Sequence, residues 1–304
     1  MDLAQLLQRF GRGAERAAVA SGRWRVFRGR WAAGGLYFLF PYNRLLYGLN
    51  DVFAFASDRL NPRKRSIEGA VIRPRYFRAL INAIIVTNLR LLAMLFATSS
   101  APAAALAFLL FTSIAYSAPP LRFKEVPFLD SFTSATQFVT PLVFGLLYGH
   151  AGVFAWLEVI AFTLWAMASQ AFGAIQDPTP DRTAGLAPVA TYLGLRRTAW
   201  FSLSLSLLAV ALLLAAQQSL VYLCVVAAFL LYPAYVLWFL RAPPEASEHR
   251  HWRFFLYLTL IAGMIITRAF ILHVRSSPWG RAAASVQRAG QAIACCGRGA
   301  LQRT

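Results

Sequence analysis

Eight mostly apolar stretches recur along the chain, near residues 32–54, 79–98, 101–117, 129–149, 151–176, 199–216, 219–240 and 254–273. Short segments carrying most of the charge separate them. A helix that crosses a bilayer needs about 20 such residues, so the pattern predicts an all-α, polytopic transmembrane helical bundle of about eight spans. The bundle is expected to form one domain over residues 32–273. The flanks, 1–31 and 274–304, hold seven and five arginines among abundant Ala and Gly and have no clear apolar period. No function is assigned to either, and the C-terminal one is expected to be poorly ordered.

Composition agrees with this picture. Hydrophobic residues make up 58% of the chain and charged residues 14%, with a mean hydropathy of +0.53. Soluble domains carry about 25% charged residues, which excludes that class. The net charge of +18 would suit a nucleic-acid binder, but its Arg and Lys residues flank apolar runs, and membrane orientation explains that placement better. Connections between spans alternate between very short ones without Lys or Arg and charged ones. The first charged loop holds Arg59, Arg63, Lys64, Arg65, Arg73, Arg75 and Arg78. Positive loops face the cytoplasm, so charged ends are expected there, in a multi-pass protein of a bacterial cell membrane. The basic termini do not fit this alternation. Cys224, Cys295 and Cys296 have no metal-ligand spacing, the four histidines are scattered, and the first thirty residues lack the apolar core of a cleavable signal.

Four of the six aspartates interrupt apolar sequence in two pairs: Asp51 and Asp58 within NDVFAFASDRLNPRK (50–64), and Asp177 and Asp181 within QDPTPDRTAG (176–185). A carboxylate at a span end is energetically expensive and reads as functional by default. Asp51 and Asp58 are seven residues apart, which places them on one helical face two turns apart. Asn50 adds a carbonyl oxygen beside them. Pro178 and Pro180 separate the second pair and predict a broken helix end. A few hard oxygen ligands, completed by water and phosphate, suit Mg²⁺, and adjacent Arg and Lys suit diphosphate oxygens. The competing reading is helix capping or an interfacial ion pair. It is preferred for Asp130, which opens a span as LDSF, and disfavoured for two pairs expected at one membrane face.

Three blocks, PYNRLLYGLNDVFAFASDRLNPRK (41–64), YSAPPLRFKEVPFLDS (116–131) and SQAFGAIQDPTPDRTAG (169–185), resemble the UbiA-type superfamily of intramembrane prenyltransferases. Within it they look most like lycopene elongases of C50 carotenoid biosynthesis. The resemblance implies that Asp51, Asp58, Asp177 and Asp181 bind Mg²⁺ as metal ligands and carry catalysis. It also implies that Asn50, Arg63, Lys64, Tyr116, Arg122, Lys124 and Arg182 hold the diphosphate. The implied reaction moves a prenyl group from an allylic diphosphate, dimethylallyl diphosphate, to a lipophilic acceptor such as lycopene, at the cytoplasmic side of the bilayer and without nucleic acid. The family has nine spans, so one would be absent or scrambled ahead of residue 32. The chain departs from the NDxxDxxxD pattern at Ala54, where the middle carboxylate stands in the family, and two positions on it has Ala56 in place of the family's usual acidic residue. Losing the former should weaken Mg²⁺ binding.

Other polar and aromatic residues keep two readings. Phe38, Phe40, Tyr42, Trp165 and Phe172 either shield a cation or pack, with packing preferred. Arg44, Arg90 and Arg268 either face the cavity or snorkel to an interface. Asn82 and Asn88 either touch substrate or join helices. An aromatic quinone precursor is the alternative acceptor, a non-catalytic relative that binds isoprenoid or a partner subunit is another reading, and an ion or solute transporter is the reading from a different class.

Overall fold

The computed structural model describes residues 34–59, 71–148, 156–176, 178–183, 185–216, 220–241 and 248–276. The expected site residues Arg63, Lys64 and Asp177 lie outside them. The described residues form helices and no strand: α1 (Pro41–Phe53), α2 (Phe55–Asp58), α3 (Phe77–Ala97), α4 (Ser100–Ser117), α5 (Leu129–Tyr148), α6 (Trp156–Gly173), α7 (Pro178–Thr183), α8 (Val189–Leu193), α9 (Leu195–Ala216), α10 (Leu220–Arg241) and α11 (Glu248–Ser276). Residues 34–39 are also helical. Among the described residues, four helical stretches are long and apolar enough to cross a membrane: Pro74–Ala97, Ser100–Ser117, Leu195–Ala216 and Tyr222–Arg241. The remaining predicted spans coincide with α1, α5, α6 and α11.

Two packed groups make up the bundle. In the first, α1, α3, α4 and α5 meet around Tyr42, Leu45, Ile84, Leu91, Leu106, Leu109 and Phe144. In the second, α6, α9, α10 and α11 meet around Phe172, Ala199, Leu203, Tyr232, Val236 and Phe255. Helices α5 and α6 join them through Val139, Leu146 and Val159. Lipid tails are as apolar as leucine, so close packing of small residues and interhelical hydrogen bonds hold membrane helices together. Both devices are present. Ala161, Ala168, Ala171, Ala199 and Ala209 are buried along α6 and α9, and the Ser202 hydroxyl donates to the Ala168 carbonyl at 2.8 Å.

Proline chemistry explains another link. Pro141 lies inside α5 and has no N–H, so the Gln137 carbonyl four residues earlier loses its intrahelical donor. Tyr42 of α1 supplies the replacement, its hydroxyl donating to that carbonyl at 2.7 Å. Tyr37 donates to Asn88 of α3, which also donates to Pro41 and Ile84 carbonyls. Asn88 therefore joins helices, whereas Asn82 is exposed.

Candidate active site

The first acidic motif straddles a break. Helix α1 ends at Phe53, the chain bends at Ala54 (φ −93°, ψ −1°), and α2 resumes at Phe55. Backbone bonds cross the bend from Ala54 N–H to the Asn50 carbonyl at 2.7 Å and from Asp58 N–H to the Ala54 carbonyl at 2.8 Å. Asp51 and Asp58 thus lie on either side of a bend, where periodicity alone predicted one continuous helical face. The reason is tertiary: the Arg122 guanidinium donates to the Phe53 carbonyl, at the break itself, at 3.3 Å. Ala54 is buried, 4% exposed, on the inside of the bend.

The connection between α4 and α5 supplies the cations. Arg122 adopts a left-handed backbone (φ 43°, ψ 50°), a conformation that costs about 1–3 kcal/mol in a non-glycine residue and clusters at functional sites. It pairs with Glu125 three residues on. The Lys124 ammonium donates to the Asn50 side-chain carbonyl at 3.1 Å, across 74 positions of sequence. Two cations of this connection therefore clasp the end of the first acidic motif.

The second motif lies on a broken helix, as its prolines predict. Helix α6 gives way to a 3₁₀ turn at Ala174–Gln176, and Pro178 opens the short α7 that carries Asp181. Asp181 and Asp130 both lie within electrostatic range of the Tyr116 hydroxyl at the end of α4, as does Tyr47 of α1. The first acidic motif therefore meets the α4–α5 connection through Lys124 and Arg122, while Asp181 of the second stands within electrostatic range of Tyr116 on the last turn of α4. Arg182 is exposed at the last turn of α7.

Two residues at this centre, Gln170 and Ser134, escaped the reading of the sequence. Gln170 of α6 donates to the Tyr116 hydroxyl at 3.4 Å and accepts from Ser134 of α5 at 3.0 Å. A polar side chain within an apolar span was the available signal. Ser117, 1% exposed, has no hydrogen-bond partner for its hydroxyl among the described residues.

Among the described residues, no three His, Cys, Asp or Glu side chains form a metal cage. Mg²⁺ does not require one, since it is held by one or two carboxylates with water and phosphate oxygens. Asp51, Asp58 and Asp181 are the hard oxygen donors at hand, and the unpartnered Ser117 hydroxyl beside Tyr116 leaves a polar atom for a ligand. Carboxylate and hydroxyl oxygens of this kind suit Mg²⁺ shared with a phosphorylated molecule.

Several competing readings resolve as packing. Phe172 packs on Tyr235, Phe239 and Phe255, and Trp165 packs on Phe162, Phe229 and Tyr232. Phe38 contacts Tyr42 and Phe144, whereas Phe40 is exposed. Arg44, Arg90 and Arg268 are exposed.

A helical membrane bundle with one acidic motif held against a basic connection and a second on a broken helix defines a class, and residues 16–259 match the UbiA prenyltransferase family; the chain belongs to that family. Among its relatives, it is 42% identical over 248 residues to the C(50) beta-cyclic carotenoids biosynthesis protein LbtBC of Dietzia sp. (strain CQ4), covering 79% of this chain and 57% of that protein. The chain thus spans little more than half of that relative's length. It is 36% identical over 237 residues to a lycopene elongase/hydratase of Corynebacterium glutamicum, covering 77% of this chain and 83% of that one. A UbiA homolog from Archaeoglobus fulgidus, solved bound to DMAPP and Mg²⁺, shares the fold with a TM-score of 0.55 at 20% identity, over 78% of this chain and 87% of that one.

Proposed function

We propose that this protein transfers the prenyl group of an allylic diphosphate, dimethylallyl diphosphate, to a lipophilic acceptor, the end of lycopene. The site faces the cytoplasmic side of the bilayer. The observation that carries this reading is the basic α4–α5 connection held against the first acidic motif, through the bonds from Lys124 to Asn50 and from Arg122 to the Phe53 carbonyl. The relatives named for lycopene elongation and the solved relative with bound DMAPP support the choice of substrates.

Asp51, Asp58 and Asp181, with Asp177, would hold Mg²⁺, which when bound neutralises charge on the departing diphosphate. Lys124 and Arg122 grip the diphosphate oxygens as the allylic C–O bond breaks and its electron pair leaves with the oxygen. Arg63, Lys64 and Arg182 add positive charge around the same headgroup. Asn50 steadies Lys124, and Tyr116 is fixed through Gln170 and Ser134. The acceptor's alkene π electrons form the new C–C bond to the allylic carbon. The resulting cation then loses a proton or takes up water, and the surrounding packed helices keep bulk water away until then.

Expression in a lycopene-accumulating host, with pigments analysed by mass spectrometry, tests this. Lycopene bearing added five-carbon units, with or without water, is the expected product. A second reading, an impaired family member, is favoured by the buried Ala54. Product only after Ala54→Asp would select it, and no prenylated product from either chain overturns the transferase reading.

A further inference from the structure

Asp130 stands outside the two acidic motifs. The sequence pattern gives it a local task, capping the helix it opens. The structure gives its carboxylate a second and distant partner. One oxygen accepts the backbone N–H of Val189, the first residue of α8, at 3.1 Å and 59 positions away. The other accepts from the Ser131 hydroxyl at 3.4 Å. The carboxylate is 2% exposed and Val189 is 0% exposed. Just ahead of Asp130, Phe128 holds a left-handed backbone (φ 66°), a local strain that the fold sustains at this turn.

The chain between Asp181 and Val189 transmits this anchor. The Leu186 N–H donates to the Asp181 carbonyl at 2.9 Å, and the Gly185 N–H to the Arg182 carbonyl at 3.1 Å. Gly185 permits that turn with φ 72°. Three residues after Leu186 comes the amide held by Asp130. The same Tyr116 hydroxyl lies within range of both Asp130 and Asp181. We infer that Asp130 is a positioning residue, which pins the start of α8 and thereby sets where Asp181 of the second acidic motif stands. The inference rests on the transferase reading above for its functional consequence, and on the bond to Val189 for its physical content.

The test uses the full chain in lipid nanodiscs, with two readouts: amide hydrogen exchange, and affinity for inorganic pyrophosphate in the presence of Mg²⁺. Asp130→Asn keeps an acceptor oxygen for Val189 and should stay within about threefold of the unaltered chain in both. Asp130→Ala removes the acceptor. It should speed exchange in peptides spanning 185–193 and weaken pyrophosphate binding, each by about tenfold or more, with α10 exchange unchanged. Val189→Pro removes the donor instead, at the first position of a helix, where proline is tolerated, and should reproduce both effects. It also serves should Asp130→Ala not fold. Exchange and affinity unchanged in Asp130→Ala and Val189→Pro overturn the inference alone, as does an Asn variant as impaired as the Ala variant. Exchange rising evenly through every helix assigns Asp130 a purely structural role and overturns it too. An unaltered chain that does not bind pyrophosphate with Mg²⁺ removes the transferase reading, and the positioning role with it.

Discussion

Lys124 and Ala54 show how single side chains set the chemistry of this centre. The Lys124 ammonium is oriented by Asn50, and a hydrogen bond to a charged group contributes about 1.5–3 kcal/mol. Lys124→Met should therefore raise the KM for allylic diphosphate by about 10- to 100-fold. Asn50→Ala should have a smaller effect, largely absent in the Lys124→Met background, which a double-mutant cycle on steady-state kinetics would read. Ala54 is buried at the bend of the first motif, so a carboxylate introduced there loses its hydration unless a cation joins it. Ala54→Asp is expected to melt below the unaltered chain in EDTA and to recover with Mg²⁺, as thermal denaturation in detergent would show. Recovery equal in both proteins would separate residue 54 from the metal.

Helix interruptions do much of the positioning. Pro141 frees the Gln137 carbonyl, and Tyr42 takes it. Tyr42→Phe should leave that buried acceptor unsatisfied, destabilising the fold by about 1–3 kcal/mol. In a Pro141→Ala background the regained N–H returns to Gln137, and the same Tyr42→Phe change should be nearly neutral; chemical denaturation of the four proteins measures the difference. Gly48 leaves room for Ile84 of α3, since a β-carbon there would stand 2.8 Å from the Ile84 Cδ1 atom at the end of that side chain. Gly48→Leu should force the two helices apart and lower the melting temperature, and Ile84→Ala should restore part of the loss by opening space. The breaks at Ala54 and before Pro178 put Asp58 and Asp181 on the short helices α2 and α7, while Asp51 stays on the last turn of α1.

Across the bundle, one group of helices carries the first motif and the other carries the second, with α5 and α6 between them. A ligand gripping both motifs would therefore stabilise the assembly of the two groups and not one helix alone. Mg²⁺ with pyrophosphate, at a hundredfold excess over Kd, should raise the melting temperature by roughly 5–10 °C. EDTA should abolish the shift, and Lys124→Met should shrink it. A shift that persists in EDTA would mean that the anion binds without metal.

The helices, their membrane class and the break ahead of Pro178 were legible in the chain, because span length, charge alternation and proline stereochemistry are local properties. The three sequence blocks carried the family resemblance for the same reason, since each lies within a short window. What no window contains is which groups meet. The bend at Ala54 is tied to Arg122 reaching the Phe53 carbonyl from 69 positions away. Gln170 and Ser134 matter only because α5, α6 and α4 come side by side. Asp130, a plausible cap for its own helix, also holds the amide of Val189 because folding brings α8 beneath it. Local patterns specify elements and candidate chemistry. Partner choice among buried polar groups is settled by packing, where each donor must find an acceptor that the chain order does not name.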